Sequence, residues 1–259
     1  MKTSKKIRNK IFALINPGKK VYCLYCKKTY RKFLHEGVKA KVFKTYTVAG
    51  GGYKKNVQCP NCYSVDRSRL LYLFFQLRTE VFQKKTHILH ISPNKEIAKV
   101  LCEGKTISHV CGTIEPEQYM EFNPVYLDVQ KIGFEDHTFD VLICCHVIEH
   151  VDHDDVAMRE IHRVLKPGGF AILQVPLALN LEKTLEDKTL KTDKERKRAF
   201  GQVDHNRLYG LDYFDKLKNA GFRVVRDNPF QNKWLSKEEL ERHRLDPIED
   251  VIIAYKDQA

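Results

Sequence analysis

Phe139-Asp140-Val141-Leu142-Ile143-Cys144-Cys145-His146-Val147-Ile148-Glu149-His150-Val151 is the stretch that decides the fold. Phe139 to Cys145 is a near-continuous apolar run, the pattern of a strand buried on both faces in the middle of a parallel sheet. The run breaks at His146, where the strand gives way to a turn. In Asp154 to Leu165, Val156, Ile161, Val164 and Leu165 then recur at helical spacing, and Lys166-Pro167-Gly168-Gly169 stops that helix. Phe170 to Val175 is the next strand.

The same alternation extends both ways. Upstream, strands are predicted at His87 to Ile91, Thr106 to Cys111 and Pro124 to Leu127, with a helix over Lys95 to Cys102. Downstream, Leu211 to Ala220 is a helix closed by Gly221, and Phe222 to Arg226 and Val251 to Tyr255 are strands. Strands alternating with helices predict an α/β, doubly wound, mostly parallel sheet. A charged stretch in residues 180–205 interrupts the rhythm and reads as a surface insertion or lid.

Ahead of this domain stand two Cys-x-x-Cys pairs, Cys23/Cys26 and Cys59/Cys62, 32 residues apart. Two such turns complete a tetrahedral thiolate site, and a site of four cysteines has no open position, so its Zn²⁺ is structural. Two disulfides, a redox pair or four unrelated buried thiols are the alternatives. Gly50-Gly51-Gly52 forms a flexible turn between the knuckles. Ser64 is placed to cap a helix over Arg67 to Phe82, with Leu70, Leu71, Phe74, Leu77 and Val81 on its apolar side. The predicted units are a basic tail (1–20), a zinc module (21–66) and the α/β domain (67–259). In the tail, Ile7, Ile11 and Ile15 among lysines mark a short amphipathic helix, read as docking on the protein's own core or lying on a membrane surface.

Charge is segregated. Residues 1–85 carry 21 Lys+Arg against 3 Asp+Glu, whereas the remainder is net acidic and the whole chain is +12. A single-sign field of this kind attracts polyanions or anionic membrane surfaces. Hydrophobic content of 42% is ordinary for a globular protein. No apolar run reaches the ~20 residues of a membrane-spanning helix, and free thiols suit a reducing compartment. A cytoplasmic location, with peripheral membrane contact as an option, is the expectation.

The Phe139–Val151 stretch followed by Leu165-Lys166-Pro167-Gly168-Gly169-Phe170-Ala171-Ile172-Leu173 resembles the class I S-adenosylmethionine-dependent methyltransferases, and within them the type-11 group. The resemblance covers roughly residues 86–259 and implies a Rossmann-like methyltransferase sheet. Cys59-Pro60-x-Cys62-x-Ser64-x-x-Arg67-x-Arg69, Phe200-Gly201-Gln202 and Asp204-His205-x-Arg207 are similar to bacterial members found among surface-polysaccharide genes. That implies a small or glycan-like acceptor, with an anionic carrier as an option.

In an open α/β sheet the ligand lies beyond the carboxyl ends of the strands at the switch point. This edge holds Ile91, Ser92, Pro93, Asn94, Gly112, Thr113, Glu115, Asp128, Cys145 and His146 as cofactor-binding candidates. The resemblance implies that Asp128 holds the adenine amino group and that an acidic residue after the second strand holds the ribose; Thr113 stands there, with Glu115 two residues on. Where relatives carry a glycine-rich loop after the first strand, this chain has Ser92-Pro93-Asn94. Pro93 has no N–H to donate, and no glycine eases close approach.

His205 is the candidate base for an acceptor hydroxyl, with Asp204 or Asp128 beside it. Arg207 and Tyr209 are candidates for an anionic or sugar group, and Arg67 and Arg69 for a phosphate. His146-x-x-Glu149-His150 matches an inverted zinc-protease pattern, but that pattern needs both histidines on one helix, and here His146 directly follows a buried strand. Two other functions compete with a small-molecule methyltransferase: an RNA methyltransferase docked through the basic module, and a non-catalytic zinc-containing binding protein on a degenerate scaffold.

Overall fold

The computed structural model describes residues 2–258, with side chains described from residue 8 onward. Seven strands build the central sheet: β1 (Thr86–Ile91), β2 (Ile107–Thr113), β3 (Val125–Tyr126), β4 (Phe139–Cys145), β5 (Leu165–Gln174), β6 (Arg223–Asp227) and β7 (Val251–Tyr255). Their spatial order is β3-β2-β1-β4-β5-β7-β6. All pairs from β3 to β5 are parallel. β7 alone runs antiparallel, between β5 and β6. Strand order reverses between β1 and β4, whose ladder ends with Ile91 opposite Cys144. Their carboxyl ends therefore diverge into a crevice, the place where such sheets bind ligands.

The seven longer helices are α1 (Lys2–Ile15), α2 (Asp66–Arg78), α3 (Lys95–Glu103), α4 (Asp154–Val164), α5 (Asp193–Phe200), α6 (Tyr213–Asn219) and α7 (Lys237–His243). The apolar run of β4 serves two cores. Leu142 and Cys144 join Ala157, Met158 and Ile161 of α4 and Tyr213 and Leu217 of α6. Val141 and Ile143 join Leu70, Leu71 and Phe74 of α2 and Ile97 and Leu101 of α3. Each fully buried aliphatic side chain contributes about 1.5–3 kcal/mol, so β4 anchors both layers.

Several expectations shift. The Lys166–Gly169 stretch is not a loop between helix and strand: α4 ends at Val164, and β5 starts at Leu165 with a bulge before Phe170. Helix α2 stops at Arg78 rather than Phe82, because Thr79 turns extended and its hydroxyl donates to the Phe75 carbonyl. Leu77, expected on its apolar side, is 55% exposed. Ser64 does not cap α2. Val65 holds that place with its N–H on Ser68 Oγ, while Ser64 Oγ lies against Cys23 and Cys62 Sγ. Helix α7 occupies a stretch for which no element is predicted; Ser236 and Glu239 form its capping box.

The N-terminal module is bound into the α/β domain. Val48–Ala49 pairs with Leu177–Ala178 just beyond β5. Lys54 Nζ sits among Asp66, Asp246 and Glu249 at 2.7, 2.9 and 3.1 Å. In α1, Ala13 packs against the cysteine cluster and Asn9 is buried, but Ile11, Leu14 and Ile15 stay exposed. The apolar stripe therefore does not dock on the core; the side chain of Ile7 lies outside the described residues. No helix among the described residues is long and apolar enough to cross a membrane.

Candidate active site at the switch point

Two non-glycine residues in the left-handed region mark the ends of the two central strands: Ser92 after β1 (φ 45°) and His146 after β4 (φ 58°). For residues with a Cβ this conformation costs of order 1–2 kcal/mol, and strain of this kind gathers at functional sites. Ser92 occupies the conformation that glycine would favour, so the loop keeps a tight turn although its sequence has no glycine. Its N–H is fixed by the Gly112 carbonyl at 2.8 Å. Asn94 then caps α3, its side chain accepting from Ile97 N–H at 3.5 Å.

A cleft of about 510 Å³ opens here, with Ile91, Ser92, Glu115, Asp128, His146 and His150 in its wall. A second, of about 210 Å³, continues under α2 and is lined by Ser92, Pro93, Asn94, Cys145, His146 and Arg67. Ser92, Tyr119 and His146 belong to both. Eight of the ten cofactor candidates are thus brought together. Gly112 and Thr113 are not. Gly112 is buried where a Cβ would meet Leu127 Cδ1 at 2.7 Å, which makes it a packing glycine. Thr113 is buried, and its hydroxyl accepts the Glu115 N–H at 3.2 Å. That leaves Glu115, exposed in the cleft, as the acidic group after β2.

His90 also lines the smaller cavity. Burial keeps its imidazole neutral, far below its ordinary pKa. Nε2 accepts the Asn94 N–H at 3.3 Å and Nδ1 has no partner. It lies inside an apolar strand, where no motif singles it out.

The residues proposed for acceptor binding divide sharply. Arg69 is fully buried, and its guanidinium donates to the carbonyls of His243, Ser64 and Val57, each at 2.7 Å. Arg207 is buried too, donating to Ile148 O at 3.0 Å, Val151 O at 2.6 Å and Glu186 at 2.8 Å. Tyr209 is fully buried with its hydroxyl on Asp154 at 3.0 Å. A buried group already committed to the protein's own acceptors has little left for a substrate, so all three hold the fold instead. Arg67, by contrast, is exposed and borders both the smaller cavity and a third one lined by Gly50, Gln202 and His205.

His205 comes from the stretch read as a lid, but that stretch ends pinned under the β4 turn. Asn206 N–H donates to Glu149 O at 2.9 Å, and Asn206 Nδ2 to His150 O at 2.7 Å. Burial lowers the His205 pKa to about 4, so the ring is neutral. Neither ring nitrogen has a partner.

The four cysteines converge. Cys23 and Cys62 Sγ lie 3.4 Å apart and Cys26 and Cys59 3.6 Å apart, and all four sulfurs fall within 4.8 Å of one another. None is in a disulfide, whose sulfurs would be about 2 Å apart. Tetrahedral Zn–S bonds of about 2.3 Å place sulfurs about 3.8 Å apart, so the donor set fits such an ion.

Comparison with known proteins finds similarity to methyltransferases over part of the chain. Residues 89–173 match the family model described as a methyltransferase domain. In this segment the chain is similar to methyltransferase domains. Over 45 residues the chain is 49% identical to a sterol 4-C-methyltransferase of Caenorhabditis elegans, covering 17% of this chain and 14% of that protein. Over 84 residues it is 48% identical to the mitochondrial 2-methoxy-6-polyprenyl-1,4-benzoquinol methylase of Bos taurus, covering 32% of this chain and 23% of that one. The chain thus spans under a quarter of the length of these two relatives. Among solved structures, the YcgJ protein of Bacillus subtilis is 16% identical over 62% of this chain and 70% of that one, with a TM-score of 0.42. The methyltransferase domain as matched runs from within β1 to near the end of β5. It encloses the switch point but not the cysteine module, α7 or His205.

Proposed function

We propose that this chain transfers the methyl group of S-adenosylmethionine to a small acceptor held where the N-terminal module meets the sheet. The observation that carries this reading is the cleft at the switch point. It lies inside the segment that matches the methyltransferase family, and Ser92, Glu115, Asp128 and His146 line it. In this reading Asp128 accepts from the adenine amino group and Glu115 from the ribose hydroxyls. Asn94 and Arg67 face the carboxylate end. The bound donor brings an already activated sulfonium methyl; the protein's part is to orient the acceptor in line and exclude water.

The acceptor enters through the cavity of about 190 Å³ that Arg67, Gly50, Gln202 and His205 share. Arg67 favours an acceptor or carrier with an anionic group, while neutral, unpartnered His205 is the imidazole available to its proton-bearing oxygen. The two relatives act, by name, on a sterol and on a polyprenyl benzoquinol, which agrees with a small-molecule acceptor here. A glycan-like acceptor on an anionic carrier is the version proposed. The left-handed Ser92 argues against the non-catalytic reading, since the loop keeps the turn that a glycine would give. Cys23, Cys26, Cys59 and Cys62 are proposed to hold one structural Zn²⁺, which fastens the module just ahead of the helix that carries Arg67.

Calorimetric titration with S-adenosylmethionine tests the first half of this reading. Methyl transfer from labelled donor to diphosphate-linked sugars, quinols and RNA tests the second. Absence of donor binding at millimolar concentration would leave a non-catalytic scaffold. Methylation of RNA alone would replace the acceptor class.

A further inference from the structure

Glu149, His150 and His205 offer one carboxylate and two imidazole donor atoms that all lie within 4.8 Å of one another. They form a wall between the donor cleft, which His150 faces, and the acceptor cavity, which His205 faces. Glu149 and His205 are each about 1% exposed. Both oxygens of Glu149 and both ring nitrogens of His205 lack a hydrogen-bond partner. A buried carboxylate without hydrogen-bond donors is costly; His146 Nδ1 lies 3.3 Å from Oε1 without completing such a bond.

We propose that Glu149, His150 and His205 bind a divalent transition-metal ion with an open position toward the acceptor cavity. Two imidazoles and one carboxylate are the donor set of ions such as Zn²⁺, Fe²⁺, Co²⁺ or Mn²⁺. The supporting shell is present as well. His150 Nδ1 faces the Asp204 carbonyl at 3.0 Å. With the proton on Nδ1, the Nε2 lone pair is left for the metal, and the second hydrogen bond fixes the ring. His146 lies against Glu149, 3.3 Å from Oε1. Arg207 and Asn206 tie the segment carrying His205 to the turn carrying Glu149 and His150. Around bonds of about 2.1 Å, tetrahedral donors are about 3.4 Å apart, so metal binding draws the three side chains inward by small rotamer changes.

The site differs from the peptidase pattern in the same residues. His146 supports rather than ligates, and the second histidine ligand comes from residue 205, beyond the matched domain. Its use rests on the methyl-transfer reading: an acceptor hydroxyl or catechol-like oxygen bound at the open position becomes more acidic, so it loses its proton to solvent before methyl transfer. With the ion bound, His205 acts on the acceptor oxygen through the metal, whereas in the metal-free protein its imidazole faces that oxygen directly.

The test uses the full chain, zinc-replete, titrated with Co²⁺ under reducing conditions and followed by calorimetry and visible absorption. One further equivalent is expected, without thiolate-to-cobalt charge-transfer absorption, which exchange into the cysteine site would produce. Glu149→Gln and His205→Gln should each weaken it at least tenfold, while Asp155→Asn, on the exposed side of α4, should not. Melting curves establish that the variants are folded. The proposal fails if wild-type protein takes up no further equivalent at millimolar Co²⁺, or if both folded variants bind as wild type does. Donor affinity, measured separately, distinguishes failure of this site from failure of the methyltransferase reading.

Discussion

Replacing Arg69 by lysine keeps the charge and removes the fork. Arg69 spans three elements: Nε reaches His243 O at the end of α7, Nη1 reaches Ser64 O between the second knuckle and α2, and Nη2 reaches Val57 O inside the module, all at 2.7 Å. Its Cζ also lies 4.8 Å from the centre of the Phe33 ring. A lysine ammonium reaches one of these carbonyls, so two charge-assisted bonds are lost. At about 1.5–3 kcal/mol each, the loss is about 3–6 kcal/mol. Ser64 O retains a second donor, Cys59 N–H at 2.9 Å, so the main cost falls on His243 O and Val57 O. The lower end of the range, about 3 kcal/mol, is expected, because the shorter side chain leaves room for water to reach one of the two. Urea unfolding followed by fluorescence of Trp234 measures it. A domain typically has only about 5–15 kcal/mol in total, so the shift in midpoint would be large. A loss below about 1 kcal/mol, less than one such bond, would mean that Arg69 is not the clasp between module and α/β domain.

Other outcomes follow from the same geometry. Asp128→Ala should weaken S-adenosylmethionine by about 1–3 kcal/mol by leaving a donor unpaired; unchanged affinity in calorimetry would move the adenine elsewhere. Ser92→Gly should match wild type in melting temperature within the equivalent of about 1 kcal/mol, because relief of the left-handed strain is offset by a more flexible unfolded chain, whereas Ser92→Val should destabilise clearly; equal melting points for all three would contradict the strained loop. Chelation of zinc in reduced protein should unfold the cysteine module first, seen as hydrogen exchange rising in residues 17–63 before the sheet; uniform exchange would count against a structural ion there. His205 and His109 have folded pKa values lowered by burial to about 4, against 6.5 for the free side chain. The unfolded chain therefore binds protons first, and stability should fall as pH drops from about 6.5 to about 4; a flat profile across that window would show that these imidazoles are not buried neutral.

The sheet was legible because its signals are local. Phe139–Cys145 can be little other than a central strand, and the turn that follows it sets the switch point. Ends were less legible where tertiary bonds override local signals. Ser64 looks like a cap, but its hydroxyl is drawn to the cysteine sulfurs, and Ser68 takes over at Val65. The residues at the switch-point edge could be read because strand ends are fixed by the alternation of elements. The acceptor side could not, because Arg67, Arg69, Arg207 and Tyr209 are equally polar in sequence and only burial separates the one that is available from the three that are spent. His90 and the pairing of His205 with Glu149 depend on contacts between distant segments, which no spacing rule encodes. The exposed Ile11, Leu14 and Ile15 of α1 are another such case: periodicity predicts the helix but not what its stripe faces.

The most direct test of the central claim is a crystal structure of the chain with S-adenosylhomocysteine, the product of methyl transfer. Density is expected to run from Asp128 and Glu115, past Ser92 and His146, to Asn94 and Arg67, with the sulfur at the end of the Phe139–Cys145 strand. Density at any other place, or a cleft that stays open at saturating ligand, would contradict it.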